Sequence, residues 1–320
     1  MRYYIGMKIA IDTAAVTNGD LGFEQFEKLG ECVLFGVVER EELFALAADC
    51  DAILINKVPV DAALLDACPK IKYVGVFATG YNVVDIDACR ARGVTVCNVP
   101  DYSTNSVAQH VFALILSLYG KIPEYAASVA AGDWIKSKVF TYFPWGTFEV
   151  YGKTLGILGY GNIGKTVAKI ASAFGMNVVI STRTPPKDCP YKVCSLEDML
   201  GASDIVTLHC PQTPATEKII NDKTISLMKD GAILINTARG GVIDEYAVRK
   251  ALDCGKLSGF GADVLSAEPM KADNPLYGAK NSIITPHIAW VPQEARIRLL
   301  KVSADNLKAY MDGKPQNVVS

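Results

Sequence analysis

Short apolar runs alternate with amphipathic stretches along most of the chain, and this alternation constrains the fold more than any other feature. In the N-terminal third, predicted strands cover MKIAID, CVLFGV, AILIN, YVGVF and TVCNV. Predicted helices lie between them at 23–29, 41–48, 61–67 and 85–92, with Asp61 and Asp85 as N-cap residues. Strands that alternate with helices form a parallel sheet with helices on both faces.

The same alternation starts again at Thr154, with different residues. Predicted strands cover TLGIL, NVVIS, DIVTLH, AILIN, SGFGADV and SIITP. Predicted helices lie at 104–119, 163–174, 195–200, 223–227, 244–254 and 292–311. The aromatic segment TYFPWGTFEVYG contains proline and glycine and is predicted to be an ordered loop.

Composition and charge exclude several classes of protein. The chain has 320 residues, of which 50% are hydrophobic and 21% charged, so it is globular and long enough for two domains. The net charge of −2 and the lack of a basic stripe argue against nucleic acid as a partner. The apolar segment 107–120 contains Gln109 and His110 and is too short to cross a bilayer, so we expect a buried helix and no membrane partner.

The nine cysteines are scattered and form no C-x-x-C pair, and none has metal-ligand spacing from a histidine. We therefore predict reduced thiols in a cytoplasmic protein, with no metal site and no disulfide. The first residues, MRYYIGMKIAID, lack the pattern of a signal peptide because Lys8 and Asp12 interrupt the apolar core.

A glycine-rich loop, GYGNIG, joins the predicted strand TLGIL to the predicted helix IGKTVAKIASAF. The motif alone is weak, but here it has the strand before it and the helix after it that dinucleotide binding requires. The N–H groups at the start of such a helix bind a pyrophosphate. Gly159, Gly161 and Gly164 are therefore predicted to bind a cofactor.

The residues after the next strand bear on which cofactor is bound. An NAD site has an acidic residue about 20 positions beyond the loop, whereas this chain has Thr182 and Arg183 there. A hydroxyl and a guanidinium suit a 2'-phosphate better than a ribose diol. We therefore expect NADP(H) to be preferred over NAD(H). In the alternative, Arg183 is solvated and NAD binds through other contacts.

Three further residues suggest a reaction. Arg239 lies in NTARGG after a predicted strand, Glu268 in ADVLSAEP, and His287 in ITPHIAW. Together they suit hydride exchange with a carboxylate-bearing ketone, since arginine binds carboxylate, histidine moves the proton and glutamate favours the charged histidine. Each alone could be structural. His209 could approach the cofactor or simply pack, and His110 is interpreted as structural.

Several ordered motifs resemble the D-isomer-specific 2-hydroxyacid dehydrogenases. They are FATGYNVVDIDA, STNSVAQHVFALIL, KTLGILGYGNIG, LHCPQTPATEKII, LINTARGGVIDEYAV, GADVLSAEP and TPHIAW. The resemblance implies that Arg239, Glu268 and His287 are catalytic. It also implies contacts to the two ligands: Ala78, Thr79, Gly80 and Trp290 for the substrate, and Asn162, Ile163, Cys210, Thr237, Ala238 and Asp263 for the cofactor. His209 is a further candidate cofactor contact because it follows the predicted strand DIVTL.

The predicted fold is α/β, with two doubly wound parallel-sheet domains and a ligand cleft between them. Residues 1–101 and 291–320 are assigned to a flavodoxin-like substrate domain, and residues 102–290 to a Rossmann dinucleotide-binding domain. The expected activity is reduction of a small 2-ketoacid of the hydroxypyruvate or glyoxylate type, by a homodimer. The alternatives are another 2-ketoacid, such as that giving D-lactate, and a nucleotide-sensing protein resembling the family's corepressors.

Overall fold

The computed structural model describes residues 6–14 and 16–320. The chain divides into two compact units, Met1–Ser103 with Val291–Ser320, and Thr104–Trp290. Residues 1–5, the start of the segment MRYYIGMKIAID that we examined for a signal peptide, lie outside the described residues.

The first unit contains a five-stranded parallel sheet in the order β2-β1-β3-β4-β5. Its strands are β1 (Lys8–Asp12), β2 (Glu31–Phe35), β3 (Ala52–Ile55), β4 (Tyr73–Val76) and β5 (Thr95–Cys97). Its first helices are α1 (Glu24–Glu27), α2 (Arg40–Ala47), α3 (Ala62–Ala67) and α4 (Ile86–Ala91). This strand order is the flavodoxin-like one that the sequence predicts.

Apolar runs form the strands of this unit because both faces of a parallel sheet are covered. All residues of β3 and β4 are buried. The predicted caps are confirmed, since Asp61 accepts a hydrogen bond from Leu64 N and Asp85 accepts one from Ala88 N.

The second unit contains a seven-stranded parallel sheet. Its strands are β6 (Thr154–Leu158), β7 (Asn177–Ser181), β8 (Lys192–Val193), β9 (Ile205–Leu208), β10 (Ala232–Asn236), β11 (Leu257–Ala262) and β12 (Ser282–Ile284). Its helices are α5 (Thr104–Gly120), α6 (Ile122–Ala130), α7 (Asn162–Ala173), α8 (Leu196–Ala202), α9 (Asp222–Leu227) and α10 (Glu245–Asp253), with 3-10 turns at Trp134–Lys136 and Gly240–Val242. The chain then returns to the first unit through α11 (Gln293–Met311).

The strand order of this second sheet, β12-β11-β10-β9-β6-β7-β8, is that of a doubly wound nucleotide-binding fold with one added strand, β12. The order reverses between β6 and β9, and the ends of these strands are paired, Leu158 with Leu208. On the other side of β9, the ends of β10, β11 and β12 are neighbours in the sheet. Loops that follow these strands therefore share one edge.

Helix α5 carries the apolar segment that the sequence predicts to be buried. Its buried residues include Val111, Leu114 and Ile115. Among the described residues, no helix has the length and apolar character needed to span a bilayer.

Candidate active site

The glycine loop lies at the point where the strand order reverses. Gly159 has φ of +95°, and a Cβ there would lie 2.7 Å from the backbone of His209 and Cys210. A Cβ on Gly164 would lie 2.3 Å from Gly159 O, so close packing of α7 on β6 requires glycine. A Cβ on Gly161 would meet nothing within 4 Å. The middle glycine therefore faces open space at the start of α7, where a phosphate can approach.

Thr182 and Arg183 follow β7 beside this loop. The preceding residue, Ser181, accepts a 2.8 Å hydrogen bond from Gly159 N. Thr182 is partly buried and Arg183 is exposed. Within the part of the chain that the structure describes, Arg183 has no carboxylate partner, so its guanidinium is available to an anion.

His209 and Cys210 follow β9 on the other side of the loop. His209 N donates to Leu158 O at 2.7 Å, and His209 Nε2 lies 3.0 Å from Thr207 Oγ1. Desolvation lowers the pKa of His209 to about 3, so the ring is neutral at neutral pH. Burial raises the pKa of the Cys210 thiol, which is therefore not a thiolate there.

Arg239 lies in a tight turn after β10 that buried Asn236 holds. Asn236 Nδ2 donates to Arg239 O at 2.9 Å, and its Oδ1 accepts from Ala238 N at 3.1 Å. A Cβ on Gly240 would lie 1.9 Å from the Leu265 carbonyl carbon. Only glycine allows this turn to pack against the loop that carries Glu268.

Glu268 and His287, two of the predicted catalytic residues, are in direct contact. His287 Nδ1 lies 2.7 Å from Glu268 Oε2, and Glu268 Oε1 accepts from Leu265 N at 3.1 Å. The His287 side chain is 30% exposed and the Glu268 side chain 34%, so the pair is accessible to a ligand. Because Nδ1 faces the carboxylate, Nε2 is the nitrogen that can exchange a proton with a substrate.

A buried carboxylate, Glu245, holds the loop around Glu268. Its oxygens accept hydrogen bonds from Ser266 N at 2.7 Å, Ser266 Oγ at 2.8 Å and Asn274 Nδ2 at 2.9 Å. Neither Glu245 nor Asn236 is identified by the sequence analysis. The signals for them are a carboxylate at the first position of α10 and an asparagine that ends an otherwise apolar strand.

Asp263, which the family resemblance assigns to the cofactor, is 1% exposed and is bonded to the His287 loop. Its Oδ1 accepts from Ile288 N and its Oδ2 from Ala289 N, both at 2.8 Å. Trp290 follows directly and is partly buried.

The predicted substrate loop, Ala78–Gly80, follows β4 in the first unit. Val99 N donates to Ala78 O at 2.9 Å, Asn98 Nδ2 donates to Thr79 O at 2.7 Å, and Thr79 Oγ1 donates to Val99 O at 2.8 Å. These bonds fix the loop through its carbonyl oxygens and hydroxyl and not through its N–H groups.

Comparison with known proteins identifies the family to which this chain belongs. The family described as D-isomer specific 2-hydroxyacid dehydrogenase, NAD binding domain, matches residues 112–289. The chain belongs to the D-isomer-specific 2-hydroxyacid dehydrogenases. The predicted resemblance is thus confirmed, and the protein is an NAD(P)-dependent oxidoreductase that acts on CH–OH groups.

Individual proteins are similar to this one over most of the chain. Hydroxypyruvate reductase of Blautia hydrogenotrophica is 40% identical over 98% of this chain and 100% of that protein. Glycerate dehydrogenase of Methylorubrum extorquens is 44% identical over 87% of this chain and 88% of that protein. A solved structure of an acyclic imino acid reductase in complex with NADPH and D-arginine is 31% identical, with a TM-score of 0.86 over 98% of this chain and 100% of that chain.

The second unit fits the dinucleotide of this family. Gly161 leaves space at the start of α7. Thr237 Oγ1, after β10, is buried without a hydrogen-bond partner among the described residues. Buried hydroxyls are usually hydrogen-bonded, so this oxygen can bond a bound cofactor at this edge of the sheet. The described residues contain no group of three or more His, Cys, Asp or Glu side chains able to hold a metal ion.

Replacing Gly161 tests whether the open space receives a phosphate. Gly161→Ala should lower cofactor affinity about tenfold, because a methyl group blocks close approach to the helix N–H groups. The melting temperature should change little, because the new Cβ meets no protein atom within 4 Å. Fluorescence titration and thermal unfolding measure the two effects.

Gly36→Ala is the matched control, since its Cβ also meets nothing within 4 Å but lies in the first unit. Equal cofactor affinity in both variants would show that Gly161 does not face the dinucleotide.

Proposed function

We propose that this dehydrogenase interconverts a small 2-ketoacid of the hydroxypyruvate or glyoxylate type and the corresponding D-2-hydroxyacid. The observation that carries the proposal is the 2.7 Å contact between His287 Nδ1 and Glu268 Oε2, at the sheet edge that also carries Arg239. The similarity to a hydroxypyruvate reductase and a glycerate dehydrogenase supports this substrate class.

The side chains divide the chemistry between them. The nicotinamide, when bound, supplies the hydride for reduction and removes it in the reverse direction. Arg239 binds the substrate carboxylate and polarises the keto oxygen. His287 donates the Nε2 proton to that oxygen as it becomes a hydroxyl, and takes the proton back during oxidation. Glu268 accepts a hydrogen bond from His287 Nδ1 and so fixes the ring with Nε2 free for this proton transfer.

The remaining substrate contacts are proposed from the family resemblance. We assign the backbone amides of Ala78–Gly80 to the substrate carboxylate, and we assign Trp290 to limiting the substrate side chain. Another small 2-ketoacid, including pyruvate, is compatible with the same chemistry. The alternative of a nucleotide-sensing protein is distinguished by turnover of any ketoacid. A cytoplasmic location stays a prediction.

Substitution of the acid–base pair gives distinct signatures. His287→Ala should lower kcat about a hundredfold or more, the scale expected for losing a general acid, with cofactor affinity little changed. Glu268→Gln should lower kcat about tenfold, because a neutral amide holds His287 Nδ1 less firmly than a carboxylate does. Steady-state kinetics with hydroxypyruvate and glyoxylate between pH 5 and 9 measure both.

Glu197→Gln, at an exposed carboxylate of α8, is the matched control for Glu268→Gln. Near-normal turnover by His287→Ala, or equal kcat for Glu268→Gln and Glu197→Gln, would contradict these roles.

For the cofactor, we propose that NADPH is preferred over NADH. Ser181 is bonded to the glycine loop, so Thr182 and Arg183 follow at the position where an adenosine ribose is recognised in this fold. The exposed Arg183 guanidinium can pair with a 2'-phosphate, whereas an acid that would accept from a ribose diol is missing there.

Two substitutions test this preference. Arg183→Ala should lower kcat/KM for NADPH by about ten- to a hundredfold, the equivalent of one charge-assisted contact. NADH kinetics on the same variant are the internal control and should be unchanged. Thr182→Asp should favour NADH, because a carboxylate repels the 2'-phosphate and accepts from the diol. A wild type that prefers NADH would refute the proposal.

We also propose that the protein is a homodimer formed through the segment 134–151. Ile135 and Phe140 are 89% and 92% exposed, and Phe143, Phe148 and Tyr151 are also exposed. The segment is held by local bonds, including Trp134 Nε1 to Phe140 O at 2.9 Å. Exposed apolar side chains grouped in one segment are typical of an interface, and a second copy of the chain covers them in a two-fold symmetric pair.

Phe140→Ser combined with Ile135→Ser should convert the dimer to a monomer at micromolar concentration, because apolar area at the interface is lost. Size-exclusion chromatography with light scattering measures the mass. Tyr246→Ser is the control, since Tyr246 is 72% exposed on α10. A wild-type monomer, or a double variant that remains dimeric, would exclude this interface.

A further inference from the structure

The backbone at His287 is held in a conformation that it would not adopt alone. His287 has φ of +57°, in the left-handed region, although it has a Cβ. Residues with a Cβ rarely adopt this region, and they keep such a backbone conformation only when surrounding contacts fix it. The surroundings of His287 therefore determine where its ring points.

Asp263 supplies part of that restraint, because its carboxylate binds both residues after His287. Ile288 N and Ala289 N each donate to it at 2.8 Å. On the other side of His287, Thr285 Oγ1 lies 2.5 Å from Asp263 Oδ1. The same buried carboxylate is thus bonded to the chain before and after the left-handed residue.

Thr285 also joins this group to helix α5. His110 Nε2 lies 2.8 Å from Thr285 Oγ1 and 3.6 Å from Asp263 Oδ1. The His110 side chain is 17% exposed. His110, interpreted from the sequence as structural, therefore contacts the residue two positions before His287.

The donors and acceptors can be assigned. Thr285 Oγ1 lies 2.5 Å from the Asp263 carboxylate and 3.3 Å from Ala262 O, and both of these groups only accept, so the hydroxyl proton points to the nearer one, Asp263. The Thr285 oxygen then accepts from His110 Nε2, which must carry a proton. The direction of donation runs from His110 to Thr285 to Asp263.

We propose that His110 is a positioning residue for His287, acting through Thr285 and Asp263. The proposal rests on the proposed role of His287 as general acid. His110 fixes the Thr285 hydroxyl, Thr285 orients the carboxylate, and the carboxylate holds the backbone on both sides of His287. The ring of His287 is thereby kept against Glu268.

The test removes the donor while keeping the volume of the side chain. His110→Leu should lower kcat about ten- to a hundredfold, the scale of a small displacement of a catalytic group, and should leave the KM for the cofactor within a few-fold. His110→Gln should restore most of the lost kcat, because the amide Nε2 can donate to Thr285. Thr285→Val removes the hydroxyl at nearly constant shape and should match His110→Leu.

Combination with His287→Ala separates a positioning role from a general structural one. A residue that acts only through His287 has no further effect once His287 is gone. We therefore expect the same kcat for His287→Ala and for His110→Leu/His287→Ala. A double variant markedly slower than His287→Ala would overturn the proposal, as would a normal kcat for both His110→Leu and Thr285→Val.

The proposed function can fail independently in the same experiment. If His287→Ala alone retains wild-type kcat, the role of His287 as general acid is refuted and the positioning role is refuted with it. If His287→Ala is inactive and the His110 and Thr285 variants are fully active, only the positioning role is refuted. Should His110→Leu fail to fold, Thr285→Val and His110→Gln still decide the outcome.

Discussion

The parallel arrangement of β10, β11 and β12 is the constraint on which the candidate active site depends. Three neighbouring strands that run in one direction end at one edge, so the loops after them meet there although they are far apart in sequence. Arg239 follows the first of these strands, Glu268 the second and His287 the third. The strand order alone therefore places a cation, a carboxylate and an imidazole at one edge of the sheet.

Buried polar side chains then fix each loop. Asn236 bonds the turn at Arg239, Glu245 bonds the loop at Glu268, and Asp263 bonds the chain around His287. Buried polar groups are stabilising only when they are hydrogen-bonded, so each of these residues specifies one backbone geometry. The proposed reacting groups are exposed or partly exposed while the residues that hold them are buried, as a preorganised site requires.

Periodicity and local chemistry account for what could be predicted. Five apolar runs in the first unit and six in the second form strands, because a parallel sheet covered on both faces selects apolar residues. Strand β8 was missed, since it has two exposed residues and no apolar run. Asp61 and Asp85 were identified as caps because capping depends on residues three positions apart. The glycine loop was identified because its strand and helix adjoin it in sequence.

Contacts between distant loops could not be predicted in the same way. Asp263 accepts hydrogen bonds from Ile288 and Ala289, which lie 25 and 26 positions further along the chain. His110 contacts Thr285, which is 175 positions away. Such contacts depend on how the loops pack, which no local pattern encodes. His110 lies in an apolar helix, so its sequence context suggests packing alone. Gly240 follows Arg239 in the motif NTARGG, and the motif alone does not show that its missing Cβ lets two loops of the candidate site touch.

A crystal structure with NADPH and oxamate, an unreactive mimic of a 2-ketoacid, tests the central claim most directly. We expect the Arg239 guanidinium to donate to the oxamate carboxylate and His287 Nε2 to lie within hydrogen-bonding distance of its carbonyl oxygen, with Nδ1 still on Glu268. Oxamate bound away from Arg239, or a His287 ring that contacts the ligand through neither nitrogen, would contradict it.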